Sequence, residues 1–517
     1  MTRVSPQSWT LSGLLAPFAS VAVPEIPVDG VCLDSRLVQR GDLYLAVSGA
    51  TTHGLCYARA AVESGAVAVL CMADAAATYV DEVEALRGRD IPVIEIDALE
   101  QNCAAIASRF YDKPDGGMTL IAVTGTDGKT SVCRFIAQSL SACEQPCGYI
   151  GTLGWGMGDA LQSTQLTTPD EVTLLRLLAE LRDQGATAVA LEASSHGLAE
   201  GRLDGLALDV AVLTNLGRDH LDYHQSIEAY RDAKARLFSW PSLSAVVVNG
   251  DDAFGQELLL QTARLKQFAC YTHDTSATAC NDTTAVQDGS ATTPTRVTAS
   301  HIETADNGLT FSLQEAGEAY AIETVLLGRF NVENLLSCYG SVRACGVSAN
   351  QACHSLKSVT AVAGRMERFG GGKSPTVVVD YSHTPQALQV ALSSARVHCR
   401  GKLWVVFGCG GDRDPGKRAP MAAAAEAADH VVLTDDNPRT ESSSNIIKDA
   451  LAGFTQSEKV IVIPDRADAI RHAVTTAQVN DLILIAGKGH EDYQIIGTTR
   501  YPFSDRVEAQ AALERAS

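Results

Sequence analysis

The sequence is short of positive charge, aromatic residues, paired cysteines and long apolar runs. Its formal net charge is −20, so a nucleic-acid or anionic-membrane partner is not expected. An anionic substrate would have to be met by local basic groups. No apolar stretch is long enough to cross a bilayer, and nothing near Met1 has the pattern of a secretory signal. The 14 cysteines are scattered without a C-x-x-C pair, and Cys32, Cys71 and Cys133 lie in apolar runs. This usage reads as reduced thiols in a cytoplasmic protein rather than a disulfide framework. Cys409 has no partner assignable from sequence and reads as a small thiol in a glycine turn, not a nucleophile. With 517 residues, 46% of them hydrophobic and 20% charged, the chain is globular and too long for one core. Three domains is the natural division.

The most informative stretch is TLIAVTGTDGKTSVCRFIAQ, residues 119–138. A short apolar run of strand type leads into a tight turn with Gly125, Gly128, Lys129 and Thr130, and a helical pattern follows. Strand, glycine turn and helix with Lys-Thr at the junction form a phosphate cradle. Backbone N–H groups and the helix N-terminus face the anion, Lys129 brings a point charge, and the Thr130 hydroxyl suits Mg²⁺. Val123 stands where the longer P-loop has its first glycine, so this is the shorter G-x-x-G-K-T form.

Strands alternating with helices imply an α/β chain with mostly parallel sheets, whose ligands gather beyond the carboxyl ends of the strands. Residues 1–112 alternate short strands and helices, with Asp34, Ser35, Arg36 and Gly41-Asp42 at turns. Such residues bind ligands or merely cap turns. Residues 113–362 hold the phosphate loop and three more polar strand ends. These carry Glu192, Ser194, Ser195 and His196, then Asn215, Asp219, His220, Asp222 and His224, then Asn249, Asp251 and Asp252. Glu192 and His220 are ligand types for a divalent metal near phosphate. In SIEAYRDAKARLF, Ile227, Tyr230, Leu237 and Phe238 share a helical face with Lys234 in its midst. A lysine there must snorkel, pair or lose its charge, and a neutral amine can add CO₂ to become a carbamate. Residues 271–308 read as loops and edge strands. Residues 363–517 repeat the strand–loop pattern, with Arg413, Arg439, Lys488 and Glu491 at loop ends. Guanidinium forks for a carboxylate and Glu491 for an ammonium would suit a zwitterion, and a surface ion-pair network is the alternative.

Taken together, the motifs resemble the Mur ligases, the ATP-dependent amide ligases that build the peptidoglycan stem peptide. The resemblance runs through DSR (34–36), GTDGKT (125–130), TTP (167–169), E-x-SSH (192–196), TN-x₃-DHLDYH (215–224), Y-x₃-K-x₂-LF (230–238), N-x-x-N (331–334), GRME (364–367), DYSHTP (380–385), GCGGDRD (408–414), DNPR (436–439) and GKGHE (487–491). It is closest to the ligases that add the third residue to UDP-MurNAc-L-Ala-D-Glu. It implies a UDP-sugar domain (1–112), a central ATPase domain (113–362) and a Rossmann-like amino-acid domain (363–517). It places Leu33 and Ser35 by the uridine end, and Thr167, Thr168, Ser194 and Arg202 on the muramoyl dipeptide. Gly125, Thr126, Asp127, Gly128, Lys129, Thr130 and Ser131 would cradle ATP, with Asn331 and Asn334 on the adenine side and Arg365 at the interdomain hinge. Thr130, Glu192, His220 and Lys234 as a carbamate (N6-carboxylysine) would hold two Mg²⁺, and Lys129, Glu192, His220 and Lys234 would carry the chemistry.

In this family DNPR accompanies meso-diaminopimelate, and lysine-adding relatives lack its arginine. Arg413, Asp436, Asn437, Pro438, Arg439, Gly487 and Glu491 would form that site. The expectation is a monomeric enzyme using ATP, Mg²⁺, UDP-MurNAc-L-Ala-D-Glu and meso-diaminopimelate. A lysine-adding ligase, another Mur step and a folylpolyglutamate synthase are the near alternatives. A plain P-loop ATPase and a UDP-sugar transferase are more distant. Two departures stand out: Asp127 where the family has Asn, which looks unfavourable beside triphosphate unless it faces Mg²⁺ or solvent, and Ala363 where the hinge has proline.

Overall fold

A computed structural model describes residues 8–49, 52–272, 293–305 and 307–516. The chain forms two compact units. The first holds the described residues through Val248 together with Asp252–Gln267. The second holds Asn249–Asp251, the described residues of Phe268–Gly289, and Pro294 onward. The architecture is α/β with mostly parallel sheets, as expected.

The first unit begins with a four-stranded parallel sheet, Gly30–Cys32, Asp42–Leu45, Ala68–Cys71 and Val93–Glu95 in that order. These strands are buried on both faces, so they read as continuous apolar runs rather than alternating ones. Val31, Leu43, Leu45, Leu70 and Ile94 face one core with helix Leu99–Phe110. Cys32, Tyr44, Val69, Cys71 and Val93 face the other, with Ala58 and Leu86. The first of these cores continues without a break into the sheet that carries the phosphate loop, through Leu120, Ala122, Val189, Leu191, Ala211 and Leu213. That sheet orders Ala245–Asn249, Val210–Leu213, Thr119–Thr124, Ala188–Glu192 and Cys147–Gly151 in parallel, with Gly154–Met157 antiparallel at its edge. The phosphate-loop strand is therefore central, flanked by the strands ending at Glu192 and Leu213.

In the second unit, Phe268–Tyr271 pair in parallel with Thr295–Thr298. Strands Thr295–Ala305, Gly308–Glu315 and Glu318–Thr324 then form an antiparallel meander. The stretch read as loops and edge strands thus contains an interior strand, and its residues 273–292 and 306 lie outside the described ones. Only Val297 and Ala299 of that strand are fully apolar and buried, which dilutes the alternation a reader looks for. The C-terminal sheet orders Glu367–Gly370, Thr376–Asp380, Leu482–Ala486, Leu403–Phe407, His430–Leu433 and Ile461–Val462, all parallel but the first. Apolar cores cover both of its faces, the doubly wound arrangement expected for residues 363–517.

Candidate active site

The phosphate loop departs from strand Thr119–Thr124 and ends at the first turn of helix Lys129–Ala142. Gly125 has φ +151°, and a Cβ there would lie 1.8 Å from Thr214 Oγ1, so only glycine fits. The neighbouring strand end fastens the loop. Thr126 N–H donates to Asn215 O (3.0 Å), Asp127 N–H to Asn215 Oδ1 (2.9 Å), and Thr214 Oγ1 to Asp127 O (2.6 Å). The Asp127 side chain is exposed, which answers the concern about a carboxylate at this position. Lys129 Nζ folds back to Gly125 O (2.9 Å) and Thr126 O (2.8 Å).

Glu192 is 1% exposed at the end of its strand. Its Oε1 accepts from Tyr149 Oη (2.6 Å) and Thr152 N–H (3.0 Å), and its Oε2 from Thr130 Oγ1 (3.0 Å) and Thr152 Oγ1 (3.1 Å). The sequence groups Glu192 with Thr130, His220 and Lys234, and shows no sign of Tyr149 and Thr152. The Thr130 hydroxyl and Glu192 carboxylate are hard oxygens side by side at a phosphate-loop helix, a donor set that fits Mg²⁺. No group of three His, Cys, Asp or Glu at metal-binding spacing occurs among the described residues.

His220 stands in a ring cluster rather than against Glu192. Its centroid lies 4.8 Å from His196 and 6.3 Å from Tyr230, and His224 joins at 5.4 Å from His196 and 5.3 Å from Tyr230. Tyr230 Oη is 3.0 Å from Thr126 Oγ1, which ties this cluster to the loop.

Lys234 does not snorkel. It is 1% exposed, its Nζ donates to Gly125 O at 2.7 Å, and it lies 4.3 Å from the Tyr230 ring centroid. Burial, with the Lys129 charge adding to it, pushes its amine down to about 6. The free amine is thus neutral at pH 7, the form that adds CO₂. Its helix is Ile227–Ala235, so Leu237 and Phe238 follow in a 3₁₀ turn ahead of Trp240-Pro241, a pair that disfavours further helix.

The dipeptide residues also converge. Thr168 Oγ1 donates to Glu192 O (2.7 Å) and accepts from Ser194 N–H (3.0 Å), while Thr167 Oγ1 lies 3.1 Å from Thr152 Oγ1. Arg202 Nη1 donates to Thr168 O (2.8 Å), and its Nη2 is held by Glu200 at 2.5 Å. Leu33 and Ser35 are half-buried, and the adjoining Arg36 reaches Gln165 Oε1 at 3.4 Å, near the Thr167 turn.

Within the second unit, Asn331 and Asn334 are buried and linked, Asn334 Nδ2 to Asn331 Oδ1 at 2.9 Å. Asn331 Nδ2 is spent on Leu327 O (2.7 Å). Arg365 lies 4.7 Å over the Tyr381 ring, and Tyr381 packs on His490 at 5.1 Å. Burial, helped by Arg365, lowers His490 to about 4. Gly364 (φ +65°) packs against Gly489, 2.1 Å from where a Cβ would sit, so a side chain would not fit there.

The C-terminal loop ends do meet. Lys488 is fully buried and donates to Asn437 Oδ1 (3.1 Å) and Glu491 Oε2 (3.0 Å), and Asn437 Nδ2 also donates to Glu491 Oε2 (3.1 Å). Asp436 lies 3.5 Å from Lys488, and a Cβ on Gly487 would be 3.0 Å from Asp436 Oδ2. Pro438 is buried, and Arg439 Nη1 donates to Gly411 O at 2.8 Å. Arg413 is exposed. Gly410 sits between the two arginines, its Cβ position 3.1 Å from Arg439 Nη1 and 3.6 Å from Arg413 Cγ. The arrangement offers two guanidinium groups and a carboxylate on one set of turns, which suits an amino acid with an additional carboxylate. Cys409 is buried with its thiol pushed up to about 11, so it is no nucleophile. Among the described residues no cysteine forms a disulfide.

Comparison with known proteins agrees over nearly the whole chain. The Mur ligase middle domain matches residues 123–342, the Mur ligase glutamate ligase domain 364–489, and the Mur ligase family catalytic domain 27–111. A Pseudomonas aeruginosa protein named UDP-N-acetylmuramoyl-L-alanyl-D-glutamate--2,6-diaminopimelate ligase is 45% identical over 93% of this chain and 94% of its own. A Xanthomonas oryzae protein of the same name is 43% identical over 98% of both. A solved structure bearing that name covers 98% of this chain and 99% of its own at TM-score 0.67 and 34% identity. MurF from Thermotoga maritima, solved with ADP, shares the fold at TM-score 0.59 and 14% identity, over 94% of this chain and 97% of its own. The phosphate loop, the buried lysine and the arginine-bearing turns all lie inside the matched spans, and the chain belongs to the Mur ligase family.

Proposed function

We propose that this chain is the ligase that joins meso-2,6-diaminopimelate to UDP-MurNAc-L-Ala-D-Glu at the expense of ATP. The observation that carries the reading is the placement of Arg413 and Arg439 about Gly410, beside Asn437 and Glu491. The two guanidinium groups provide for the second carboxylate, which diaminopimelate has and lysine lacks, and Glu491 faces an ammonium. The identity to relatives of that name supports the same substrates. Residues 1–112 would bind the UDP end, 113–362 ATP, and 363–517 the amino acid. The lack of disulfides among the described cysteines supports a reducing compartment, and this reading makes the enzyme cytoplasmic. No helix among the described residues is long and apolar enough to cross a membrane.

The γ-phosphoryl group of ATP passes to the D-glutamyl γ-carboxylate, releasing ADP. The amine of diaminopimelate then attacks the acyl phosphate, loses a proton, and phosphate leaves as the amide forms. The protein positions these partners rather than bonding to them. The loop N–H groups receive the phosphates, and Lys129 exchanges its bonds to Gly125 O and Thr126 O for phosphate oxygens. Thr130 and Glu192 would hold Mg²⁺, which when bound neutralises charge on the transferred group. Lys234, as a carbamate, and His220 complete the metal side in this reading. Thr167, Thr168, Ser194 and Arg202 orient the dipeptide.

Phosphate release from ATP with UDP-MurNAc-L-Ala-D-Glu, compared between meso-diaminopimelate and L-lysine, tests this reading. Release that requires the nucleotide sugar and diaminopimelate is expected. Equal release with lysine would overturn the amino-acid assignment, and release indifferent to both would leave only an ATPase.

A further inference from the structure

The turn bearing Arg413 is glycine-rich, and both arginines lie on turns as exposed or half-buried side chains. Something must therefore fix the separation of the two guanidinium groups. Several bonds join the turns directly. Gly411 N–H donates to Asn437 O (2.9 Å), Thr440 N–H and Oγ1 to Asp412 Oδ2 (3.0 and 2.8 Å), and Asp412 N–H to Glu441 Oε2 (3.2 Å).

Behind them stands Arg418, at the start of helix Arg418–Ala425 and 2% exposed. Its fork grips Glu441 with Nη1 to Oε1 at 2.7 Å and Nη2 to Oε2 at 2.6 Å. Nη1 also donates to Asp449 Oδ2 (2.8 Å), and Nη2 reaches Gly410 O at 3.4 Å. One guanidinium thus touches both turns: the first at Gly410, which separates the two arginines, and the second at Glu441, two residues beyond Arg439. The fork holds the Glu441 carboxyl below the usual carboxylate range, so the pair stays ionised. A planar bidentate fork fixes both distance and angle, which an ammonium cannot.

We propose that Arg418 is a specificity-positioning residue: by bridging Gly410 and Glu441 it sets the spacing of Arg413 and Arg439, and through them the grip on the second carboxylate of a diamino-dicarboxylate substrate. The inference rests on the proposed function above. If Arg418 served stability alone, its loss would lower the melting temperature or impair all substrates alike. A spacer acting on one subsite changes one substrate.

The test is steady-state kinetics of the full-length enzyme and its Arg418→Gln and Glu441→Gln variants with ATP, UDP-MurNAc-L-Ala-D-Glu and meso-diaminopimelate. Arg418→Gln is expected to raise KM for diaminopimelate about 10–100-fold, to change kcat by no more than about 3-fold, and to leave the other two KM values in place. The preference for diaminopimelate over L-lysine, measured as kcat/KM, falls in step. Glu441→Gln moves the same quantities in the same direction, about 3–10-fold, and decides the matter alone if Arg418→Gln does not fold. An unchanged KM for diaminopimelate, or a parallel rise in all three KM values, overturns the positioning role. Wild-type enzyme that releases no phosphate in response to diaminopimelate overturns the functional reading and this inference with it. An active wild type with indifferent variants overturns this inference alone.

Discussion

The phosphate loop in the first unit and the arginine turns in the second both lie beyond the carboxyl ends of parallel strands, yet they are held by different forces. The phosphate loop is held through its backbone groups by the neighbouring strand end. Thr126 and Asp127 are bonded to Asn215, Thr214 bonds back to Asp127, and Gly125 leaves no room for a side chain. The arginine turns are joined by a few backbone bonds and braced by ionised side chains, Lys488 with Glu491 and Arg418 with Glu441. The contacts to the loop backbone fix the shape that would receive phosphate, and a change there is expected to lower turnover. Ion pairs between side chains can be exchanged one residue at a time, and a change there is expected to alter the use of the amino acid. The contrast predicts that variants in the first unit lower kcat and variants in the second raise one KM.

The largest effect is expected at Lys234. Its buried, neutral amine sits on Gly125 O within the first unit. Lys234→Ala is expected to lower kcat at least about 100-fold, as loss of a group at the transferred phosphoryl does. Added formate or acetate should restore part of it by standing in for the carbamate. Full activity in the unrescued variant would show that the lysine has no such role. Next is Arg439→Lys, which keeps the charge and loses the fork. KM for meso-diaminopimelate should rise about 10–100-fold while KM for ATP stays within about 2-fold. If kcat collapsed and KM held, the two regions would not divide the work as argued.

The sequence was most readable where function is local. GTDGKT names its own loop, and the N-terminal strands follow from four short apolar runs between turns. Lys234 was visible as a charge amid an apolar helical face, although spacing alone could not tell snorkelling from burial. What stayed hidden depends on contacts distant in sequence. Tyr149 sits in the apolar strand Cys147–Gly151, and nothing local says that its hydroxyl meets a carboxylate 43 residues away. Arg418 follows Lys417 in what looks like a basic surface turn, and only the fold buries it. The interior strand Thr295–Ala305 was obscured by polar residues on its outer face.

A smaller effect tests how far Glu192 depends on its surroundings. Tyr149→Phe removes one of two donors to Oε1 and leaves the donors to Oε2 in place. Residues that orient a ligand by hydrogen bonds typically matter about 10-fold or more for metal affinity. Because Thr152 N–H remains, the Mg²⁺ concentration for half-maximal activity should rise about 3–10-fold, with KM for diaminopimelate unchanged. An unaltered Mg²⁺ dependence would mean that Thr152 and Thr130 orient the carboxylate without Tyr149.

The smallest effect compares a fully buried carboxylate with a half-buried one. In the second unit Asp505 is fully buried and held by both nitrogens of the Arg466 fork at 2.7 Å. In the first, Glu171 opens helix Glu171–Asp183 without such a fork, and burial pushes its carboxyl up to about 7, with Asp170 and Asp204 adding to the shift and its own backbone N–H and Arg202 opposing it. A carboxyl whose folded value lies above its unfolded one binds more protons when folded, so stability falls as pH rises from about 4.5 to 7, and the cost is complete above that. Glu171→Gln removes the charge and keeps the shape. It should melt a few degrees above wild type at pH 8, a gain of no more than about 3 kcal/mol, and match wild type near pH 4.5. Asp505→Asn should do the reverse at neutral pH, because it strips a buried guanidinium of its counter-charge. Equal melting of wild type and Glu171→Gln at pH 8 would mean that Arg202 compensates Glu171 as fully as Arg466 does Asp505.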